Sequence, residues 1–192
     1  LVLAPFLKRA IPESVWSRHL CLVVHPGIPG DRGPSALDWA IQQGLGEWAV
    51  TVLQAEAEMD AGPVWAAAGF PMAPTRKASL YRNQVTEAAV RAVRQAVERV
   101  EAGNFTPERV PGQAHELMKQ ANRRIDWATE SSQHVLAKLN AADVSPGIAD
   151  ELVGQPGHLL RGLLRGLFTG LADRRQHLVA RTKSLLHAIA QH

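Results

Sequence analysis

Cysteine and tyrosine each occur once in 192 residues. A single Cys21 excludes a framework of internal disulfides. It sits in an apolar run, where it reads as a buried, inert thiol, and it fits a reducing cytoplasm. No apolar run approaches the ~20 residues that a membrane helix needs. The chain opens on Leu1, and LVLAPFLKRAIPESVW lacks the charged-then-apolar order of a secretory signal. That opening is expected to be a loop belonging to something longer. No histidine spacing resembles a metal site, and no glycine-rich phosphate loop occurs.

Hydrophobic residues make up 46% of the chain, enough for a packed core. The net charge of +3 conceals an uneven distribution. Residues 1–157 hold 15 basic and 17 acidic side chains, whereas 158–192 hold six basic side chains and one acid, Asp173. Basicity belongs to the last 35 residues, so the main body is not read as a nucleic-acid or membrane binder. That tail also carries four of the eight histidines and a glycine every fourth residue at Gly162, Gly166 and Gly170. It is expected to be helical and separate from what precedes it.

Residues 20–24 (LCLVV) suit a strand buried on both faces. They run into His25-Pro26-Gly27 and a loop rich in breakers, containing Pro29, Gly30, Asp31, Gly33 and Pro34. Ser35 opens a helix, with Asp38 three residues on as an acidic variant of the capping box. Leu37, Ala40 and Ile41 form its apolar face and Gly44 ends it. Residues 48–55 and 63–72 read as two strands around an acidic turn, 56–62. Residues 76–102 are the clearest helix, with Leu80, Val85, Ala89, Val93, Val97 and Val100 at helical spacing. Residues 104–116 are irregular and suit a link. A further helix is predicted over 130–141, capped by Thr129, with Val135, Leu136 and Leu139 inward. This order is that of an α/β sheet domain, incomplete because no β-α-β unit precedes Leu20.

His25 ends a buried strand, the edge where catalytic groups gather in open α/β sheets. Its imidazole can move a proton near neutrality. Asp60 lies on a glycine-containing turn after the next strand. If the strands are neighbours, its carboxylate can hold the imidazolium ready for an oxyanion. Spacing alone favours a plain turn role for His25, and for Asp-Ala-Gly likewise. Asp31 and Arg32 could bind a carboxylate or pair with each other. Ser35 suits a cap better than a nucleophile.

The loop HPGIPGDRGP resembles the one after the catalytic strand of formyltetrahydrofolate-dependent formyltransferases, whose motif reads Asn-x-His-Pro-Ser. The segment EMDAGPV resembles their Leu-Asp-x-Gly-Pro motif. The resemblance implies a Rossmann-like fold in which His25 polarises the formyl oxygen, with Asp60 as its partner. Gly27, Asp31, Arg32 and Ser35 would wall the folate or acceptor. One position departs from the pattern: Val23 stands where the family has its catalytic asparagine.

The wording HPGIPGDRGPSALDWAI resembles the HypX/HoxX branch of hydrogenase maturation proteins, as do PFLKRAIPESVW, EMDAGPVW and NRRIDWATESSQHVLAKLNAADVSPGIADELVGQP. Together these segments cover residues 5–157. The resemblance implies 10-formyltetrahydrofolate as formyl donor, coenzyme A as carrier in the intact proteins, and supply of the carbon monoxide ligand of nickel–iron hydrogenases. Other hydrogenase maturation proteins would be partners. Residues 1–105 would be the carboxyl-terminal part of the catalytic domain. Residues 106–157 would be a linker and the start of a barrel-like second domain, where Trp127 is read as core packing. Residues 158–192 match nothing in the branch, and their composition fits shifted reading of a GC-rich gene. A different outcome stays open, a fragment that binds or scaffolds without catalysis.

Overall fold

The structure, a computed structural model, describes residues 1–143, 147–152 and 155–157. The readings made of 158–192 lie outside the described residues. Helices and a mixed sheet pack together as α/β. The four-stranded sheet has the order β1 (Val2–Pro5), β2 (Cys21–His25), β4 (Glu47–Gln54), β5 (Val64–Pro71). β1 runs parallel to β2, and the pairs β2–β4 and β4–β5 are antiparallel.

The opening is therefore not a loop. Val2–Pro5 is an edge strand, followed by the short helix α1 (Glu13–Trp16). The sequence hid it because four residues interrupted by Pro5 carry too little alternation to announce a strand. β2 and β4 behave as expected of strands covered on both faces. Leu22, Val24, Val50 and Val52 are fully buried.

A two-residue strand β3 (Asp31–Arg32) lies in the loop after β2, and α2 (Ala36–Gln42) follows. Ala36, Leu37, Ala40 and Ile41 enter the main core, and Gly44 leaves the helix at φ +66°. The expected capping box is not formed. Ser35 is left-handed, at φ +67°, and makes no side-chain cap bond. Asp38 turns instead to Lys77 Nζ (2.8 Å) and Arg123 (3.3 Å).

The long helix begins as α3 (Lys77–Leu80), passes through a π-helical turn (Tyr81–Val85), and continues as α4 (Thr86–Ala102). The wider turn shifts the phase of the buried face. Ala88, Ala92 and Ala96 are fully buried, flanked by partly buried Val93 and Val100, rather than the valines lying at the centre. Alanines at i, i+4 and i+8 let the helix approach β4 and β5 closely.

Beyond α4, β6 (Gln113–Ala114) pairs in parallel with β3, so this stretch is more than a link. Then come α5 (Gln120–Arg123) and α6 (Ser132–Ala141). The cap of α6 is Ser131, whose side chain accepts from the His134 N–H. Thr129 instead donates to Asp126. Val135 and Ile125 form a second small core, with Trp127, Leu136 and Leu139 packed against it. The antiparallel pair β7 (Asp150–Leu152) and β8 (Gln155–Gly157) ends the described chain.

Asp38, Lys77 and Arg123 are all buried, so Asp38 faces two cations in a low-dielectric setting, with the Asp143 charge also near Lys77. Nearby, burial and then the Asp38 charge push the Tyr81 hydroxyl up to about 12. Asp38→Ala would strand both cations and is expected to cost about 3–5 kcal/mol. Chemical denaturation of the full-length protein checks this. A cost below that of an exposed pair such as Glu116–Lys119 would contradict it.

Candidate active site

β2 and β4 pair antiparallel with His25 opposite Thr51 and Leu22 opposite Gln54, and the turn that follows β4 folds back so that Asp60 reaches His25. His25 is buried, and its two ring nitrogens face two carboxylates. Nε2 donates to Asp31 Oδ2 at 2.8 Å. Nδ1 stands 3.5 Å from Asp60 Oδ2. An ionised carboxylate only accepts, so Nε2 carries the proton in its bond to Asp31.

Each carboxylate is held on a second side. Asp60 adopts φ +57°, a conformation uncommon outside glycine but tolerated by aspartate. Its Oδ2 accepts from the Gly33 N–H at 3.2 Å. Asp31 Oδ1 lies 3.1 Å from His115 Nε2. Carboxylate and imidazole therefore alternate along Asp60, His25, Asp31 and His115.

Close backbone approach makes this possible. A Cβ on Gly27 would lie 2.3 Å from His25 Nε2 and 2.5 Å from Asp31 Oδ2, so glycine leaves room for the contact. The Gly27 carbonyl accepts from Thr51 Oγ1 (2.7 Å) and the Pro26 carbonyl from Trp48 Nε1 (2.9 Å), which fixes the loop on β4. A Cβ on Gly112 would lie 1.8 Å from Gly30 O, so a side chain there would part β6 from β3.

Of the residues singled out from sequence, His25, Asp60, Asp31 and Gly27 come together. Asp31, expected as a wall residue, makes the shorter contact to the ring. Asp31 and Arg32 do not pair with each other, because Arg32 reaches Glu58 (3.0 Å). The Ser35 hydroxyl accepts from the Met118 N–H. Sequence reasoning missed His115. It lies 84 positions from Asp31 in a stretch with no local signal, and only the β3–β6 pairing brings it in. Among the described residues no cluster suits a metal ion.

A cleft enclosing about 380 Å³, open to solvent, borders the site. Asp60 and Val23 line it with Leu7, Ile11, Leu53 and Met59. Val23 shares the strand face of His25, two residues away. It presents an isopropyl group where a carboxamide would donate hydrogen bonds.

The HoxX hydrogenase maturation factor of Bradyrhizobium diazoefficiens is 53% identical over 162 residues, covering 81% of this chain and 28% of that protein. The crystal structure of HypX from Aquifex aeolicus in complex with tetrahydrofolic acid matches with a TM-score of 0.75 at 48% identity, over 80% of this chain and 27% of that one. The chain is homologous to the HoxX/HypX maturation factors. It spans little more than a quarter of their length. A methionyl-tRNA formyltransferase of Sorangium cellulosum is 31% identical over 134 residues, 65% of this chain and 42% of that enzyme. The methionyl-tRNA formyltransferase of Clostridium thermocellum, 14% identical over 78% of this chain and 65% of its own, shares the fold at a TM-score of 0.61. No protein-family model matches. The relatives thus carry the formyltransferase fold predicted from the two motifs.

Gly27→Ala is expected to break the His25–Asp31 contact while leaving the sheet intact. Crystallography of the full-length variant would show the ring displaced. An unmoved ring would mean that the loop yields cheaply and that glycine is not required there.

Proposed function

We propose that this chain carries the formyl-transfer centre of a hydrogenase maturation factor, acting in the cytoplasm on 10-formyltetrahydrofolate. The observation that most supports this is His25 at the carboxyl end of β2, held between two carboxylates beside an apolar cleft. The tetrahydrofolic acid complex of the Aquifex aeolicus relative supports a folate as cosubstrate.

In this reading the formyl group leaves folate N10 for an acceptor nucleophile. The bond from the formyl carbon to N10 breaks, a bond to the acceptor forms, and the proton lost by the acceptor ends on N10. His25 supplies an N–H to the formyl oxygen as negative charge develops there. Its Nδ1 is the candidate, because 3.5 Å to Asp60 is longer than a good hydrogen bond and leaves that position available to a second acceptor. Asp60 then steadies the imidazolium from the cleft wall, while Asp31 fixes the ring from behind. Coenzyme A, as carrier, is the proposed acceptor class, and carbon monoxide supply to the nickel–iron site is the proposed purpose. Residues 1–105 act as the catalytic unit and 106–157 as the start of a second domain, in keeping with the separate small core around Val135.

Val23 favours a second reading, a site that binds folate without turnover, since the usual carboxamide is absent from the cleft. The two readings separate on one assay. Full-length protein is incubated with 10-formyltetrahydrofolate and coenzyme A, and tetrahydrofolate release is followed. His25→Ala is expected to abolish release with unchanged circular dichroism. Release at the wild-type rate in that variant would remove His25 from the chemistry, and folate binding without release in the wild type would favour the second reading.

If a missing donor limits reactivity toward amines, Val23→Asn should raise formyl transfer to a primary amine by about 100-fold, the usual worth of one oxyanion donor. An unchanged amine rate would show that the carboxamide is not the limiting absence.

A further inference from the structure

The contact of His115 with Asp31 lies outside the proposed chemistry and still shares its central carboxylate. Asp31 is almost wholly buried, at 2% side-chain exposure, and both its oxygens meet imidazole nitrogens. A buried carboxylate left with one partner is costly and free to rotate away from it. His115 occupies the second oxygen from a rigid position. Its N–H donates to Arg32 O (2.8 Å). Its ring stacks on Trp39, with centroids 6.2 Å apart and planes 27° from parallel. Its carbonyl lies 2.6 Å from where a Cβ on Gly33 would stand.

We propose that His115 is a positioning residue of the site: by holding the second oxygen of Asp31 it fixes the carboxylate that fixes the His25 ring. It does not touch substrate. Its effect on catalysis rests on the formyl-transfer reading, while its effect on His25 does not. Docking of β6 onto β3 is then a condition for an ordered His25.

The test uses full-length protein labelled with ¹⁵N-histidine. The wild type is expected to show a low-field Nε2–H resonance from His25, protected by its bond to Asp31. His115→Ala should lose this resonance and lower kcat by about 100-fold, the scale of a misplaced catalytic group, with KM for 10-formyltetrahydrofolate unchanged. His115→Gln, which keeps a donor for Asp31 Oδ1, should recover the resonance and most of kcat. A His25 resonance that persists in His115→Ala overturns the inference, as does one lost alike in His115→Ala and His115→Gln. A resonance lost in His115→Ala and recovered in His115→Gln, in a wild type that transfers no formyl group, upholds the positioning role and overturns only the formyl-transfer reading.

Discussion

Everything at this site depends on Asp31, a buried carboxylate held between two imidazoles. A lone ionised carboxylate at that depth is unstable, because water no longer solvates it. Two ring nitrogens at 2.8 and 3.1 Å replace the water. The backbone around it is shaped to allow both contacts. Gly27 leaves space on the His25 side, and the opposed Gly30 and Gly112 let β6 lie against β3. Neither side chain nor loop is specified alone, since the carboxylate needs both histidines and the histidines need the glycines.

The same logic recurs one helix turn further on. Asp38 is a second buried carboxylate, and it too takes partners from two distant parts of the chain, Lys77 and Arg123. Between the two aspartates Ser35 accepts from Met118 N–H, and just after the second Trp39 donates to Glu116 O. Residues 31–39 are thus stitched to 115–123 along their whole length. The stretch after α4 is bound to the site loop by these polar contacts, while α6 adds Ala141 to the apolar core that α2 also enters.

That division explains what the sequence could and could not reveal. Strands β2, β4 and β5 and helices α2 and α4 announce themselves through apolar pattern, because burial imposes periodicity on neighbouring residues. His25 and Asp60 were legible through two motifs in the right order. Polar stitching imposes no period. His115, Met118 and Arg123 look like ordinary residues of an irregular stretch, and their partners lie about 80 positions away. Ser35 and Asp38 were misread for the same reason. Their spacing fits a local capping box, but tertiary partners outcompeted the helix N-terminus for both side chains. β1 escaped notice because an edge strand of four residues carries almost no pattern.

The substitution at Val23 also gains meaning from this arrangement. In an oxyanion site, donors must be fixed before charge develops, since reorientation during reaction forfeits most of their worth. A strand residue with an amide side chain would be one such donor, and valine removes it. What remains is a histidine whose orientation is set from both nitrogens, by carboxylates that are themselves anchored. Under the proposed formyl-transfer reading, stabilisation of the formyl oxygen rests on that one well-held histidine rather than on several shared donors, so its held orientation carries weight that the family pattern divides between two side chains.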